Sequence, residues 1–175
     1  VRDKDGISAA AMCAEMTLYW ASKGKSLLEH LNDMYKEYGL FEDRAISKYF
    51  PGVQGPKIMG GIMTKLRTEG LTSLGGKKVI KIRDIQQQVA FDPANPSSKE
   101  NLPWPKSNVL QFILEGGTIV SARPSGTEPK IKFYINSTVP VSAKTDEALE
   151  EAKKAADKLC SDISEEINAV LNAAG

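Results

Sequence analysis

The sequence predicts an α+β fold, a mostly antiparallel sheet covered by helices. Strand-like runs at 108–115, 118–123 and 130–136 follow one another through short links, which favours antiparallel neighbours. Amphipathic stretches at 56–69 and 145–173 bracket the strands and offer apolar stripes to cover a sheet. Within 130–136, Ile131, Phe133 and Ile135 alternate with Lys130, Lys132 and Tyr134, so one sheet face is apolar and the other polar.

The helices come first along the chain. Asp5 stands as a cap before residues 5–22, where Ile7, Ala10, Ala14, Leu18 and Ala21 recur at spacings of three and four. After Lys23-Gly24-Lys25, the stretch Ser26-Leu27-Leu28-Glu29 has the form of a capping box, and Leu27, Leu31, Met34, Tyr35 and Tyr38 line one face up to a stop at Gly39. This pair exposes apolar stripes unless something else covers them, so residues 5–38 are expected to be partly mobile or self-associated. A strand over 41–50 ends at Pro51-Gly52. The helix at 56–69 carries Ile58, Ile62, Met63 and Leu66 despite Gly60-Gly61. Residues 78–84 read as a strand with Ile80 and Ile82 on one face. The prolines, serines and asparagines of 86–107 read as a long loop, and Glu115-Gly116-Gly117 turns the chain between two strands. The last helix, 145–173, presents Leu149, Ala152, Ala156, Leu159, Ile163, Ile167 and Val170.

Composition narrows the function classes. With 175 residues, 41% apolar and 26% charged, the chain can bury a core, and a net charge of +1 gives no global attraction to nucleic acid or an anionic membrane. No apolar run has the length of a membrane span. The opening Val1-Arg2-Asp3-Lys4-Asp5 lacks an initiator Met and a signal region, and reads as the middle of a larger protein or the product of trimming. Cys13 and Cys160, both in helical patterns, read as buried free thiols of a cytosolic protein, with a disulfide as the alternative.

The chemistry concentrates in "TIVSARPSGTEPKIKFYI", residues 118–135. Ile119, Ser121 and Arg123 share one strand face, and Lys130, Lys132 and Tyr134 share one on the next. Between them Ser125 and Thr127 supply hydroxyls, and Gly126 allows close backbone approach. An arginine fork, mobile lysine charges and successive N–H groups forming an anion nest are what a phosphate monoester needs. The same residues also make ordinary turn chemistry with solvated lysines.

The string "RPSGTEPKIKFY" resembles the phosphate-binding loop in the C-terminal domain of the α-D-phosphohexomutases, the phosphoglucomutase and phosphomannomutase family. "VRDKDGISAAAMCAEMTLYWASKGKSLLEHLNDMYKEYG" is similar to the close of that family's third domain. "SNVLQFILEGGTIVSARPSGTEPKIKFY" resembles the longer phosphoglucomutase branch that includes phosphopentomutase-like enzymes. The resemblance implies residues 1–39 as the helical end of a third domain and 40–175 as a C-terminal domain with a TATA-box-binding-protein-like sheet. It implies substrate-phosphate binding by Arg123, Ser125, Gly126 and Thr127, with Lys132 where many members carry an arginine, Lys130 as a helper and Lys4 as a third-domain contact. It also implies a cytoplasmic parent enzyme that uses magnesium, a catalytic phosphoserine and a glucose 1,6-bisphosphate-type activator. The motifs that supply the serine, the metal loop and the sugar-reading loop do not occur in this sequence, so the chain is expected to be inactive without its missing N-terminal domains. The expected partner is a phosphosugar, with no nucleic acid and no membrane.

The rival reading is a non-enzymatic anion- or nucleic-acid-binding module. It is poorly supplied with aromatics, because alternation turns Phe133 inward and leaves Tyr134 nearly alone. His30 is expected on the polar side of its helix, and Glu128 as a steering or merely solvated turn carboxylate. Trp104 is expected as a loop anchor or partner contact, and Lys77, Lys78, Lys81 and Arg83 as a solvated strand edge.

Overall fold

A computed structural model describes residues 4–173. In chain order the elements are α1 (Gly6–Ser22), α2 (Leu27–Tyr38), β1 (Leu40–Tyr49), α3 (Gly55–Thr68), β2 (Ser73–Leu74) and β3 (Lys77–Asp84). There follow β4 (Val89–Asp92), β5 (Asn95–Asn101), β6 (Leu110–Leu114), β7 (Ile119–Pro124), β8 (Lys130–Val139) and α4 (Asp146–Asn172). The chain divides into two compact units. One comprises the described part of Val1–Leu40 with Pro140–Ala152, the other Phe41–Val139 with Lys153–Gly175 as far as it is described.

In the first unit the helix starts are capped as their sequences dictate. Asp5 accepts the N–H groups of Ile7 and Ser8 at 3.1 and 3.0 Å. Ser26 and Glu29 form a reciprocal box, with Glu29 N–H on the serine oxygen at 3.2 Å and Ser26 N–H on the carboxylate at 2.7 Å. Neither α1 nor α2 contains a buried residue, and Ile7 and Leu18 stand 86% and 73% exposed. Cys13 is exposed, not buried as expected, because α1 buries none of its residues; Cys160 is buried, and both thiols are free. His30 stacks on Trp20 with ring centroids 3.6 Å apart and is partly buried.

The second unit holds an eight-stranded sheet in the order β1-β8-β7-β6-β3-β4-β5, with β2 on β3. The ladders from β3 to β8 are antiparallel. Gly116 and Gly117 adopt φ of +88° and +93° in the β6–β7 turn, a region that side-chain-bearing residues rarely enter. One sheet face, through Val120, Ala122, Ile131, Phe133, Ile135, Leu110, Phe112 and Leu114, packs with Met59, Ile62, Met63 and Leu66 of α3 and with Cys160, Ile163, Ile167 and Leu171 of α4. Each of the larger side chains contributes about 1.5–3 kcal/mol by leaving water. The opposite face is therefore free to carry polar groups.

Three expectations are corrected here. The stretch 86–107 is not a loop: β4 and β5 form a hairpin in it, held by a turn in which Asp92 accepts the Ala94 N–H at 2.8 Å. Ile80 and Ile82 do not share a face. A register shift between Val79 and Lys81 turns Val79 and Ile82 inward and leaves Ile80 45% exposed. The basic cluster is no sheet edge, since β3 lies between β6 and β4; Lys81 pairs with Glu100 at 3.0 Å and Arg83 lies over the Trp104 ring at 5.6 Å. Trp104 itself remains 41% exposed. In α4 the fully buried line runs through Cys160 and Leu171, while Leu159 and Val170 are only partly covered.

Candidate anion-binding site

β7 and β8 bring the expected residues together on the face away from the helices. Their register pairs Arg123 with Lys132, Ser121 with Tyr134 and Pro124 with Ile131. Two cations thus stand directly opposite each other, an arrangement that repels unless an anion lies between or above them. Among the described residues neither has an ion-pair or side-chain hydrogen-bond partner.

The loop is shaped by its own backbone. Ser125 N–H donates to the Lys130 carbonyl at 2.9 Å, and Lys130 N–H donates to the Glu128 carbonyl at 2.7 Å. Ser125 Oγ accepts the N–H groups of Thr127 at 3.4 Å and Glu128 at 3.2 Å. Those two N–H groups therefore do not face outward as an anion nest would require. A hydroxyl keeps one proton to donate, and with its oxygen turned to the loop that proton is available to a ligand. A Cβ added at Gly126 meets nothing in the chain within 4 Å, so the space above it is open.

Arg123, Pro124, Ser125, Gly126, Thr127, Glu128, Lys130, Lys132 and Tyr134 line a cavity of about 460 Å³. Of the expected contacts, Arg123, Ser125, Gly126, Thr127, Lys130 and Lys132 line the cavity, and Lys4 belongs to the first unit. Lys130 is not a free cation. Its Nζ pairs with Glu128 at 2.5 Å and donates to Tyr49 Oη at 3.3 Å, with the ammonium 5.4 Å from the Tyr49 ring centre. The Glu128 carboxylate first, then the Tyr49 hydroxyl, raise the Lys130 pKa above its ordinary value. Tyr49 was not legible as a site residue, since it lies 81 positions from Lys130 and only the fold brings them together.

A further polar pair lies next to the site, outside its lining. Gln111 Nε2 donates to Ser121 Oγ at 3.2 Å, beside the column of Arg123 and Lys132. The lining holds three cations and one carboxylate, which does not suit a metal ion. Among the described residues no three His, Cys, Asp or Glu stand together as metal ligands.

A sequence profile described as "Phosphoglucomutase/phosphomannomutase, C-terminal domain" matches residues 65–154, a span that includes the whole loop. The chain belongs to that family. Phosphoglucomutases of Staphylococcus epidermidis and Staphylococcus saprophyticus are 35% and 36% identical to it over 136 and 138 residues. These matches cover 78% and 79% of this chain and 24% and 25% of the relatives. A phosphopentomutase of Mus musculus is 34% identical over 169 residues, covering 94% of this chain and 26% of its own length. The chain thus spans about a quarter of the length of the curated relatives it matches. The open form of the Paramecium phosphoprotein pp63/parafusin, a phosphoglucomutase, shares the fold with a TM-score of 0.54 at 18% identity, over 99% of this chain and 27% of that one. Among the described residues no helix is long and apolar enough to cross a membrane.

Proposed function

We propose that this chain is the phosphate-gripping C-terminal part of a sugar-phosphate mutase, an enzyme that interconverts sugar 1-phosphate and 6-phosphate through a phosphoserine and a bisphosphate intermediate. Residues 1–39 close the domain before it, and 40–175 form the gripping domain. The observation that carries this reading is Arg123, without a partner among the described residues, facing Lys132 across β7–β8 at the mouth of a loop whose Ser125 holds a proton ready to donate.

In this reading Arg123 takes two phosphate oxygens through its fork, Lys132 supplies a second charge, and the Ser125 and Thr127 hydroxyls fix the remaining oxygens. The gripped phosphate is the one not reacting. A single grip then serves both orientations of a bisphosphate, and closure over the sugar excludes water from the transfer. The nucleophile, magnesium and the reading of the sugar belong to the rest of the parent enzyme, so the chain alone does not turn over. A cytoplasmic setting agrees with its free thiols. Base stacking finds little support on this face, because Phe133 is 1% exposed in the core and Tyr134 is the aromatic residue that lines the cavity.

An amide NMR titration of the chain with glucose 6-phosphate tests the reading. Shifts confined to 123–132 that saturate and vanish in Arg123→Ala support it. Equal shifts in both proteins, or shifts elsewhere, overturn the assignment of the grip to this loop.

A further inference from the structure

Lys130 sits inside the cavity yet is engaged by two groups of its own chain. Its side chain is 15% exposed, its ammonium reaches Glu128 at 2.5 Å, and Tyr49 Oη accepts from it at 3.3 Å. Arg123 and Lys132 carry no such partners among the described residues. The cavity therefore separates two open charges from one that is matched internally.

We propose that Glu128 is a specificity-determining residue of the grip: a built-in counter-anion that neutralises Lys130 and leaves the cavity with two open positive charges, matched to a phosphate monoester dianion. Tyr49 is its positioning partner, holding the ammonium against the carboxylate. This rests on the phosphate-grip reading above and adds to it how the site chooses among anions.

The charge arithmetic follows from the lining. Arg123, Lys130 and Lys132 supply three positive charges and Glu128 one negative, so 3 − 1 leaves a net of +2. A phosphate monoester carries about −1.5 to −2 near pH 7. A site of net +3 would favour trianions over it and hold singly charged anions more tightly. Carboxylates beside cationic sites discriminate in this way by repelling surplus negative charge as much as by pairing. The backbone supports the role: Glu128 N–H is held by Ser125 Oγ and its carbonyl by Lys130 N–H, so the carboxylate projects from a fixed point of the loop.

The test compares methyl phosphate, methyl sulfate and pyrophosphate binding to the 175-residue chain and its variants by calorimetry at one salt concentration. Glu128→Gln should tighten pyrophosphate by about three- to ten-fold and methyl phosphate by less, as expected for one unit of charge at short range in a half-wet site. The gain should disappear in Glu128→Gln combined with Lys130→Met. Tyr49→Phe should give a smaller change in the same direction. Unchanged relative affinities in Glu128→Gln, with Arg123→Ala still abolishing binding, overturn the counter-anion role and leave the grip standing. Absence of binding by the unsubstituted chain sinks the grip reading and this inference with it. A second readout needs no ligand: the NMR titration midpoint of Lys130 should fall in Glu128→Gln. An unmoved midpoint means that the pair does not form, which overturns the inference on its own.

Discussion

Arg123 and Lys132 are direct partners across the β7–β8 ladder, and neither has a counter-charge among the described residues. Like charges in that relation cost about 0.2–1 kcal/mol in an antiparallel pair. The sheet tolerates the cost, and an anion bound above the pair would reverse it.

Lys132→Gln should therefore separate stability from binding. Thermal melts of the free chain should show the variant more stable by about 0.2–1 kcal/mol. With saturating inorganic phosphate, the unsubstituted chain should gain stability by ligand linkage and the variant should gain little or none. A variant less stable than the parent without phosphate would show that the pair is not repulsive in the free chain.

Gly55 controls the loop from behind. A Cβ there would stand 2.0 Å from the Phe50 carbonyl oxygen and 3.3 Å from Pro129 Cβ. Phe50 N–H in turn donates to the Pro129 carbonyl at 2.8 Å, one residue before Lys130. The obstructing atom is backbone and cannot swing aside. Gly55→Ala should destabilise the chain by about 1–3 kcal/mol or more and shift the amides of 125–132 in an NMR spectrum. Gly60→Ala is the control: its Cβ meets nothing, and the change should stabilise α3 by about 0.5–1 kcal/mol.

The start of α2 should respond to acid. Glu29 accepts the Ser26 N–H, and that bond chiefly, with the Ser26 hydroxyl next, holds its carboxyl below the ordinary value of 4.5. A carboxyl depressed in the folded state contributes stability above its unfolded value, and loses it as pH falls through the lower folded value. Amide exchange at Ser26 and Glu29 should therefore accelerate as pH drops below that range, after correction for intrinsic rates. In Glu29→Gln this added acceleration should be absent.

Alternation and helical spacing reach as far as neighbours in sequence, and there they read this chain well. The facing of Lys130, Lys132 and Tyr134 against Ile131, Phe133 and Ile135 follows from period two, and the caps at Asp5 and Ser26 from residue type at a helix start. The loop residues were legible because arginine, hydroxyls and glycine are adjacent. What failed lies where tertiary pairing overrides a local pattern. The bulge after Val79 reversed Ile80, and the Pro- and Asn-rich 86–107 paired as a hairpin that few apolar residues advertise. Tyr49 and Gly55 act on the loop from distant segments, and a pattern with a reach of four residues contains neither contact.

Asp84 offers the sharpest test of what holds the domain together. It is buried at the end of β3, where its Oδ2 accepts from Arg67 Nε of α3 at 3.0 Å. Its Oδ1 accepts the N–H groups of Gln86 and Gln87 at 3.0 and 3.3 Å, fixing the turn into β4. Arg67 Nη2 also donates to Asn108 Oδ1 at 2.6 Å, so one carboxylate and one guanidinium bind a helix, a turn and the approach to β6. Asp84→Ala strands a mostly buried guanidinium and leaves two turn N–H groups without their acceptor. Urea denaturation should show a loss of about 3–5 kcal/mol. Replacing both partners, Arg67→Met with Asp84→Leu, should recover much of that loss, because the uncompensated charge is gone. The turn N–H groups stay unsatisfied in the double variant, so recovery should be incomplete. Full recovery would mean that the ion pair, and not the turn, is the whole of the Asp84 contribution.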